Sequence, residues 1–463
     1  MSGWLFPGFL LAAGAYTAYR LRFFCFLHPI ATVRLLFSRQ RCADGTGFSP
    51  FRALTVALAG TLGVGNITGV AAAILLGGSG ALFWMWVSAV AMMLIKYAEV
   101  YLAVITRRQE IEYGKTVFRG GPMRYLADLR GGGFMAGLFC VLCIAASVIQ
   151  GNLLQTTAAV GCITDTFGVS PLYAGLIFCA AAAVLIFGGR GRIAAFCASM
   201  VPLVSMLYFV MGMTVILRNA AALPAVMIDI LQNAFSLRAV GVGGTAAMLL
   251  AMRHGCAKGV FTHEAGCGTA PISHAGAETD CPEQQAALGI AEVFVDTPLM
   301  CTVTGLVLLL SGVGIQPEGV VPDAHGAVLD AFCLWFGAPA AVFLTAAVVF
   351  YAFAALVCWS FYGSECLRYL LDGCPKTAIR RAIGGYLSFY VLCAFFGITQ
   401  SSSVLWQLSD GLTAAMTALN TCGVLCLLGR IGIPDFAGSR KYTKKYGKMQ
   451  KNLEKSIDNG TLM

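Results

Sequence analysis

Apolar residues in this chain run on for about 20 positions at a time, stop at a short polar or glycine-rich link, and start again. Runs of that length cross a bilayer as helices. The period-two alternation with tight turns of an outer-membrane barrel is absent. Windows of about 20 apolar residues predict eleven spans, at about 3–19, 51–77, 81–107, 134–161, 170–188, 194–217, 241–276, 284–312, 338–366, 378–398 and 402–429. Two of them are interrupted. In LAGTLGVGNITGV, residues 58–70, four glycines (Gly60, Gly63, Gly65, Gly69) remove side chains, at about 1 kcal/mol each relative to Ala in a helix. Irregular backbone at membrane depth survives only where protein or a water-filled cavity satisfies the freed peptide groups. The pattern therefore predicts a helix that unwinds midway and offers backbone dipoles, Asn66 and Thr61 to an ion or a zwitterion. The run at 241–276 is broken in the same manner by Gly255, Gly259, Gly266, Gly268 and Pro271.

Paired interruptions at matching positions of two halves are the signature of an inverted repeat. Residues 51–218 then form one five-helix repeat and 219–430 a second, after a leading helix and interfacial segment in 1–50 and before a basic tail in 431–463. The stretch RLRFFCFLHPIATVRLLF, from Arg20, mixes Arg with Phe and Leu as an interfacial helix does. The polar stretch 108–133 carries a Gly-Gly-Pro turn and a short amphipathic piece, and 313–337 is an acidic link with a short helix.

Composition agrees with membrane immersion: 58% hydrophobic and 11% charged residues, against about 25% charged in soluble domains. The net charge of +9 is topological. Most of the 31 Lys and Arg fall at 20–52, 107–130, Arg190 with Arg192, 368–381 and 430–455, leaving Arg218 and Arg238 on the other face. The positive-inside rule thus predicts an N-terminus outside and a C-terminus in the cytoplasm of a cell-membrane protein, with the lipid bilayer and not nucleic acid as its charge partner. The opening WLFPGFLLAAGAYTA reads as a retained first helix. Most of the 18 cysteines sit in apolar runs, as small hydrophobes.

Ionisable residues inside spans are costly and mark function or pairing. Lys96 and Glu99 lie at i,i+3 and read as a neutralised pair. Glu264 has Lys258 or Arg253 as available partners, Asp296 is accompanied by Thr297, Thr302 and Thr304, and Asp410 reads as a further buried acid. Coupling and structural roles both stand open for Lys96, Glu99, Glu264, Asp296 and Asp410. Gln150, Asn152 and Gln155 should face the bundle interior. His254, Cys256, His263, Cys267 and His274 match no familiar zinc spacing. No HExxH, GxSxG or P-loop appears, and an enzyme is not expected. A channel lacks its filter motif.

The blocks LAGTLGVGNITGVAAAILLGGSGALFWMW, KYAEVYLAV, GGPMRYL, KGVFTHEAGCGTAP, FVDTPLMCTVTG, SFYGSECLRYL and SSVLWQLSDG together resemble the alanine or glycine:cation symporter family, over about residues 12–430. The resemblance implies an all-α, LeuT-like five-plus-five inverted repeat with one extra N-terminal helix. It also implies transport of alanine or glycine with sodium, in some members with protons. Its GVGN is similar to the GLGN of neurotransmitter:sodium symporters. By that similarity Asn66, with carbonyls of Thr61 and Leu62, and with Thr302, would hold sodium. Gly65, Ile67, Thr68 and Gly69 would meet the amino acid at the first break, Phe261, Thr262 and His263 at the second. Gln155 falls on the family's substrate glutamine, and Trp359 is a further substrate candidate. Two departures stand out. His263 replaces a family Asn with an imidazole that titrates near neutral pH. Ala354 and Ala355, ahead of Trp359, replace hydroxyls of a second sodium site.

The expectation is a symporter importing a small neutral amino acid with sodium by alternating access, with no cofactor beyond the coupling ion and protons as an alternative carrier. A proton-coupled carrier and an amino-acid receptor on a transporter fold are the other readings. Oligomeric state is not legible.

Overall fold

The computed structural model describes residues 5–37, 48–112, 115–236, 239–240, 245–313, 324–398 and 402–434. The basic tail expected at 431–463 lies outside them beyond residue 434, as does 314–323 of the acidic link. Seven described helices are long and apolar enough to cross a bilayer: Gly80–Ile105, Gly132–Phe167, Arg190–Arg218, Pro282–Ser311, Ala338–Leu370, Lys376–Gly397 and Val404–Arg430. Two further apolar runs form 16-residue helices, Leu5–Arg20 and Pro171–Ile186, each about 24 Å long.

The last two apolar runs are the interrupted ones, and both are interrupted in space. Helix Pro50–Thr61 gives way to a single tight turn, Val64–Asn66, before helix Thr68–Gly77. Helix Ala247–His263 stops, and a six-residue helix, Ala270–Ala275, resumes beyond it. The second gap turns through left-handed backbone at Glu264 (φ 48°), Gly266 (φ 79°) and Gly268 (φ 89°). That conformation costs a glycine little and an L side chain more.

The helix Gly80–Ile105 is the pillar of the bundle, with 83% of its apolar window buried. Small residues let its neighbours approach the backbone. A Cβ on Gly255 would stand 2.3 Å from the Ala81 carbonyl, and one on Gly259 would stand 2.3 Å from Ser88 Oγ. The second broken helix therefore lies directly on the pillar.

Two helices swell into π turns. Ile149–Leu153 interrupts the run from Gly132 to Phe167, and Val295–Cys301 interrupts the run from Pro282 to Ser311. The second contains Pro298, which has no N–H to donate back. Such bulges re-aim side chains and are frequent at functional sites.

The polar stretch after the pillar is not only turn and helix. Arg108–Glu112 pairs antiparallel with Lys115–Arg119 before the helix Pro122–Ala127. The β-branched and aromatic residues Thr116, Val117 and Phe118 favour strand in the second segment. A second, two-residue ladder joins Ala239–Val240 to Thr245–Ala246, so the all-α expectation holds for the bundle but not for its links. Arg119 of the hairpin is ion-paired with Glu110 (3.0 Å), Glu112 (2.5 Å) and Glu365. Arg107 donates to the carbonyls of Ala275, Ala277 and Thr279, tying down the end of the second broken helix.

Gly151 in the first π turn admits Trp359, whose Cβ would lie 2.2 Å from an added Cβ, whereas nothing lies within 4 Å of one on Gly137. Gly151→Val should therefore destabilise the detergent-solubilised protein by ~1–3 kcal/mol, the usual overpacking cost, while Gly137→Ala should melt like the parent. Equal melting temperatures for the two variants would refute the close contact.

Candidate functional site

At the first break several freed peptide groups are met by side chains. The Gly63 N–H donates to Asn66 Oδ1 (3.2 Å), and the Val64 N–H donates to Gln155 Oε1 (3.3 Å) on the adjacent helix. Thr68 Oγ1 donates to the Val64 carbonyl (2.8 Å), and Thr304 Oγ1 donates to that of Asn66 (2.8 Å). The half-helix that starts at Thr68 then aims its positive dipole end at the gap.

An acid sits at the joint between the two breaks. Asn66 Nδ2 donates to Asp296 Oδ1 (2.7 Å), Thr297 Oγ1 donates to Asp296 Oδ2 (2.8 Å), and the Thr297 and Thr262 hydroxyls are 3.2 Å apart. Asn66 therefore belongs to the first break, Thr262 to the second, and Asp296 with Thr297 to the π turn between them. All four residues are at most 1% exposed, and among the described residues no lysine or arginine pairs with Asp296. Burying an ionised carboxylate without a counter-charge is expensive. The centre thus gathers hard oxygen donors around a carboxyl that calls for a compensating positive charge, a chemistry suited to a hard cation or a proton.

Of the other residues expected to hold sodium, Thr61 turns its hydroxyl back to Ala57 and Leu58 in its own helix while its carbonyl accepts the Gly63 N–H (2.9 Å), and the Leu62 N–H donates to the Leu58 carbonyl. Thr302 accepts from Trp86 Nε1 (2.8 Å) and donates to the Thr297 carbonyl. Of the residues expected at the amino acid, Gly65 lies under Phe261, whose ring carbon would be 2.7 Å from an added Cβ. Gly69 faces the edge of Trp406, and Gln155 reaches the same gap. Ile67 and Thr68 are buried at the start of the second half-helix. Thr262 joins the acid. Trp359 instead seats its ring on Gly151, beside Tyr362. Trp406, tilted against Phe261 with ring centroids 4.9 Å apart, was missed. Its signal was a tryptophan in SSVLWQLSDG, where Asp410 drew the attention.

The second break is held by a different acid set. Glu264 accepts from the Thr269 hydroxyl and from Gln150 Nε2 (3.4 Å), not from Lys258 or Arg253 as the sequence suggested. Lys258 turns the other way, 2.9 Å from both oxygens of Asp410. Asp410 in turn is no buried acid: its side chain is 40% exposed. Lys96 likewise has a nearer partner than its helical neighbour, with Glu292 at 3.2 Å and Glu99 at 3.9 Å. Glu99 instead accepts the Gly266 N–H (3.3 Å) and an Asn420 amide N–H (2.8 Å), and Asn420 also donates to the Gly266 carbonyl. Glu292, which the sequence reading passed over, stands one turn before Asp296 and also meets His274 (3.1 Å). His263 caps the break, its Nδ1 accepting the Ala265 N–H (3.0 Å). The imidazole is fully buried.

Comparison with known proteins fits this arrangement. The sodium:alanine symporter family model matches residues 1–456. A sodium/alanine symporter from Methanococcus maripaludis is 34% identical over 96% of this chain and 95% of its own length. A probable sodium/glutamine symporter from Bacillus subtilis is 31% identical over 95% and 88%. Among solved structures, a Na+-coupled sialic acid symporter shares the fold with a TM-score of 0.58 and 12% identity, covering 91% of this chain and 87% of that one. The match takes in both breaks and the helices that brace them, on a chain of multiple apolar helices, so this is a multi-pass membrane protein and not an enzyme. It belongs to the sodium:alanine symporter family.

Proposed function

We propose that this protein is a secondary active symporter that imports a small neutral amino acid with sodium, by rocking the broken-helix pair against the surrounding helices. The observation that carries the reading is the Asn66–Asp296–Thr297–Thr262 centre, which joins both breaks through one buried carboxylate. Sodium bound there would neutralise Asp296 and draw the two breaks together. The amino acid would lie against Gly65, Thr68 and Gly69, with its carboxylate at the start of the half-helix, walled by Phe261 and Trp406. The five basic clusters of the sequence support an outside N-terminus and a cytoplasmic C-terminus.

A second reading, proton coupling, is favoured by one observation. Lys96 stands between two carboxylates, Glu292 at 3.2 Å and Glu99 at 3.9 Å, and all three groups are fully buried. One ammonium cannot neutralise two buried carboxylates, so this centre has room for a proton, with His274, 3.1 Å from Glu292, as a further group able to carry it. Proteoliposomes separate the readings. Uptake of radiolabelled alanine or glycine should follow an imposed sodium gradient at clamped pH. Uptake that follows only an imposed pH gradient would replace sodium by protons, and saturable binding without counterflow would make the protein a receptor.

Asn66→Ala and Asp296→Asn should each raise the sodium concentration for half-maximal uptake. A hydrogen bond to a charged group contributes about 1.5–3 kcal/mol, so the expected loss is about 10- to 150-fold in affinity. An unchanged sodium dependence in both would remove the centre from the ion path. At His263, Asn retains an acceptor for the Ala265 N–H. His263→Asn should melt like the parent while its preference among small amino acids shifts, whereas His263→Leu orphans that N–H, at ~1–3 kcal/mol. An unchanged preference panel for His263→Asn would reduce His263 to a cap.

A further inference from the structure

A cavity of about 330 Å³ opens beside Lys258, whose ammonium lies over the Trp406 ring. Its lining includes Arg253 and Lys258 from the second broken helix, Gln407, Asp410 and Thr413 from the last span, and Phe6 from the first helix. Pockets for small organic ligands begin at about this size. Its charges are divided. Lys258 is neutralised by Asp410 at 2.9 Å and lies 4.2 Å over the Trp406 ring. Arg253 is exposed and makes no ion pair among the described residues. The cavity therefore presents one uncompensated cation together with one carboxylate that a competing ammonium can take from a lysine. That pair of groups matches a zwitterion, with the carboxylate on Arg253 and the ammonium on Asp410.

We propose that this cavity is a second, outer binding site for a small zwitterionic amino acid, entered before the joint between the two breaks. The proposal rests on the transport reading only for the identity of the ligand. Occupancy is linked to the deeper site through shared side chains. An amino-acid ammonium at Asp410 releases Lys258 from the face of Trp406, and Trp406 with Phe261 forms the wall over Gly69 and Gly65. Thr413, on the cavity floor, donates to Gln150 (2.7 Å), which bonds Glu264 at the second break. A ligand seated outside therefore touches the groups that hold the inner wall and the second break in place.

Equilibrium binding of radiolabelled glycine and alanine to the purified full-length protein, in saturating sodium, tests this. The parent should bind two equivalents. Arg253→Gln, at an exposed position, should bind one with the affinity of the remaining site unchanged, and Arg253→Lys should recover part of the second. Acetate and methylamine, each carrying half of the zwitterion, should compete at the Arg253-dependent site at least about tenfold more weakly than glycine, since each forfeits one charged contact. One equivalent that Asn66→Ala abolishes and Arg253→Gln leaves alone overturns the outer site and spares the transport reading. One equivalent lost in Arg253→Gln and kept in Asn66→Ala supports the outer site and overturns the inner one. Acetate, or an anionic lipid headgroup, competing as well as glycine makes this a plain anion pocket and overturns the proposal. No saturable binding of either amino acid by the parent overturns it as well.

Discussion

A bilayer offers no water to a peptide group, and this single constraint organises the bundle. Two helices stop at mid-depth, and each stop frees N–H and C=O groups that would cost several kcal/mol apiece if left unmet in hydrocarbon. The first break is met by Gln155, Asn66 and Thr304, the second by Glu99, Asn420 and His263. Four of those partners, Gln155, Thr304, Glu99 and Asn420, come from four different helices outside the breaks, so the breaks are stable only inside the assembled bundle. The site is therefore a product of tertiary structure, although its backbone irregularity is written locally in glycines.

The helices that supply the partners are themselves deformed. Asp296 and Thr297 lie in a π turn with Pro298, and Gln150 lies in another, opposite Trp359. In both, an extra residue in the turn rotates polar side chains toward a break while the apolar face continues above and below. Gln150 shows the consequence. Its amide oxygen accepts from Ser409 and Thr413, its amide nitrogen donates to Glu264, and its carbonyl accepts from Gln155. Since Gln155 also holds Val64, one short chain of amides runs from the first break to the second.

Much of this was legible from the chain alone. Continuous apolar runs gave the helices, and glycine clusters in two of them gave the breaks, because both signals are local. Pairing across space was not local, and there the reading was incomplete. It paired Lys96 with Glu99, which stand 3.9 Å apart, but not with the nearer Glu292, and it offered Glu264 Lys258 or Arg253, where Thr269 and Gln150 are its partners. In space the pillar turns Lys96 toward Glu292 on another helix, and Lys258 faces the last span. Glu292 escaped notice because LGIAEVFVDTP offers two acids at i,i+4, and only the one beside threonines looked like a ligand. Thr61 was read as offering its side chain beside Asn66, yet a threonine hydroxyl inside a helix readily bonds back to its own backbone, and Thr61 does so. The hairpin left only a faint local signal, the Thr-Val-Phe of KTVFR, and it was masked by the expectation that everything in the chain is helical.

The distribution of oxygen around the first break bears on how many ions it can serve. Toward the Asp296 helix the break meets a carboxylate, two threonine hydroxyls and the Asn66 amide. Toward the helix Ala338–Leu370 it meets methyl groups: Ala355 Cβ would lie 3.6 Å from a Cβ on Gly63, and Ala354 and Ala355 are both buried. A monovalent cation leaving water must recover its lost hydration from several oxygens at once. The alanine side of the break has none to offer from those two residues, and Thr61, the nearest hydroxyl in sequence, is turned into its own helix. The donors are thus gathered on one side, where they also clamp the second break through Thr262. That one-sidedness supports a single coupling ion placed where it bridges both broken helices, and it leaves the acid centre around Lys96 as the place where any further charge would have to be carried.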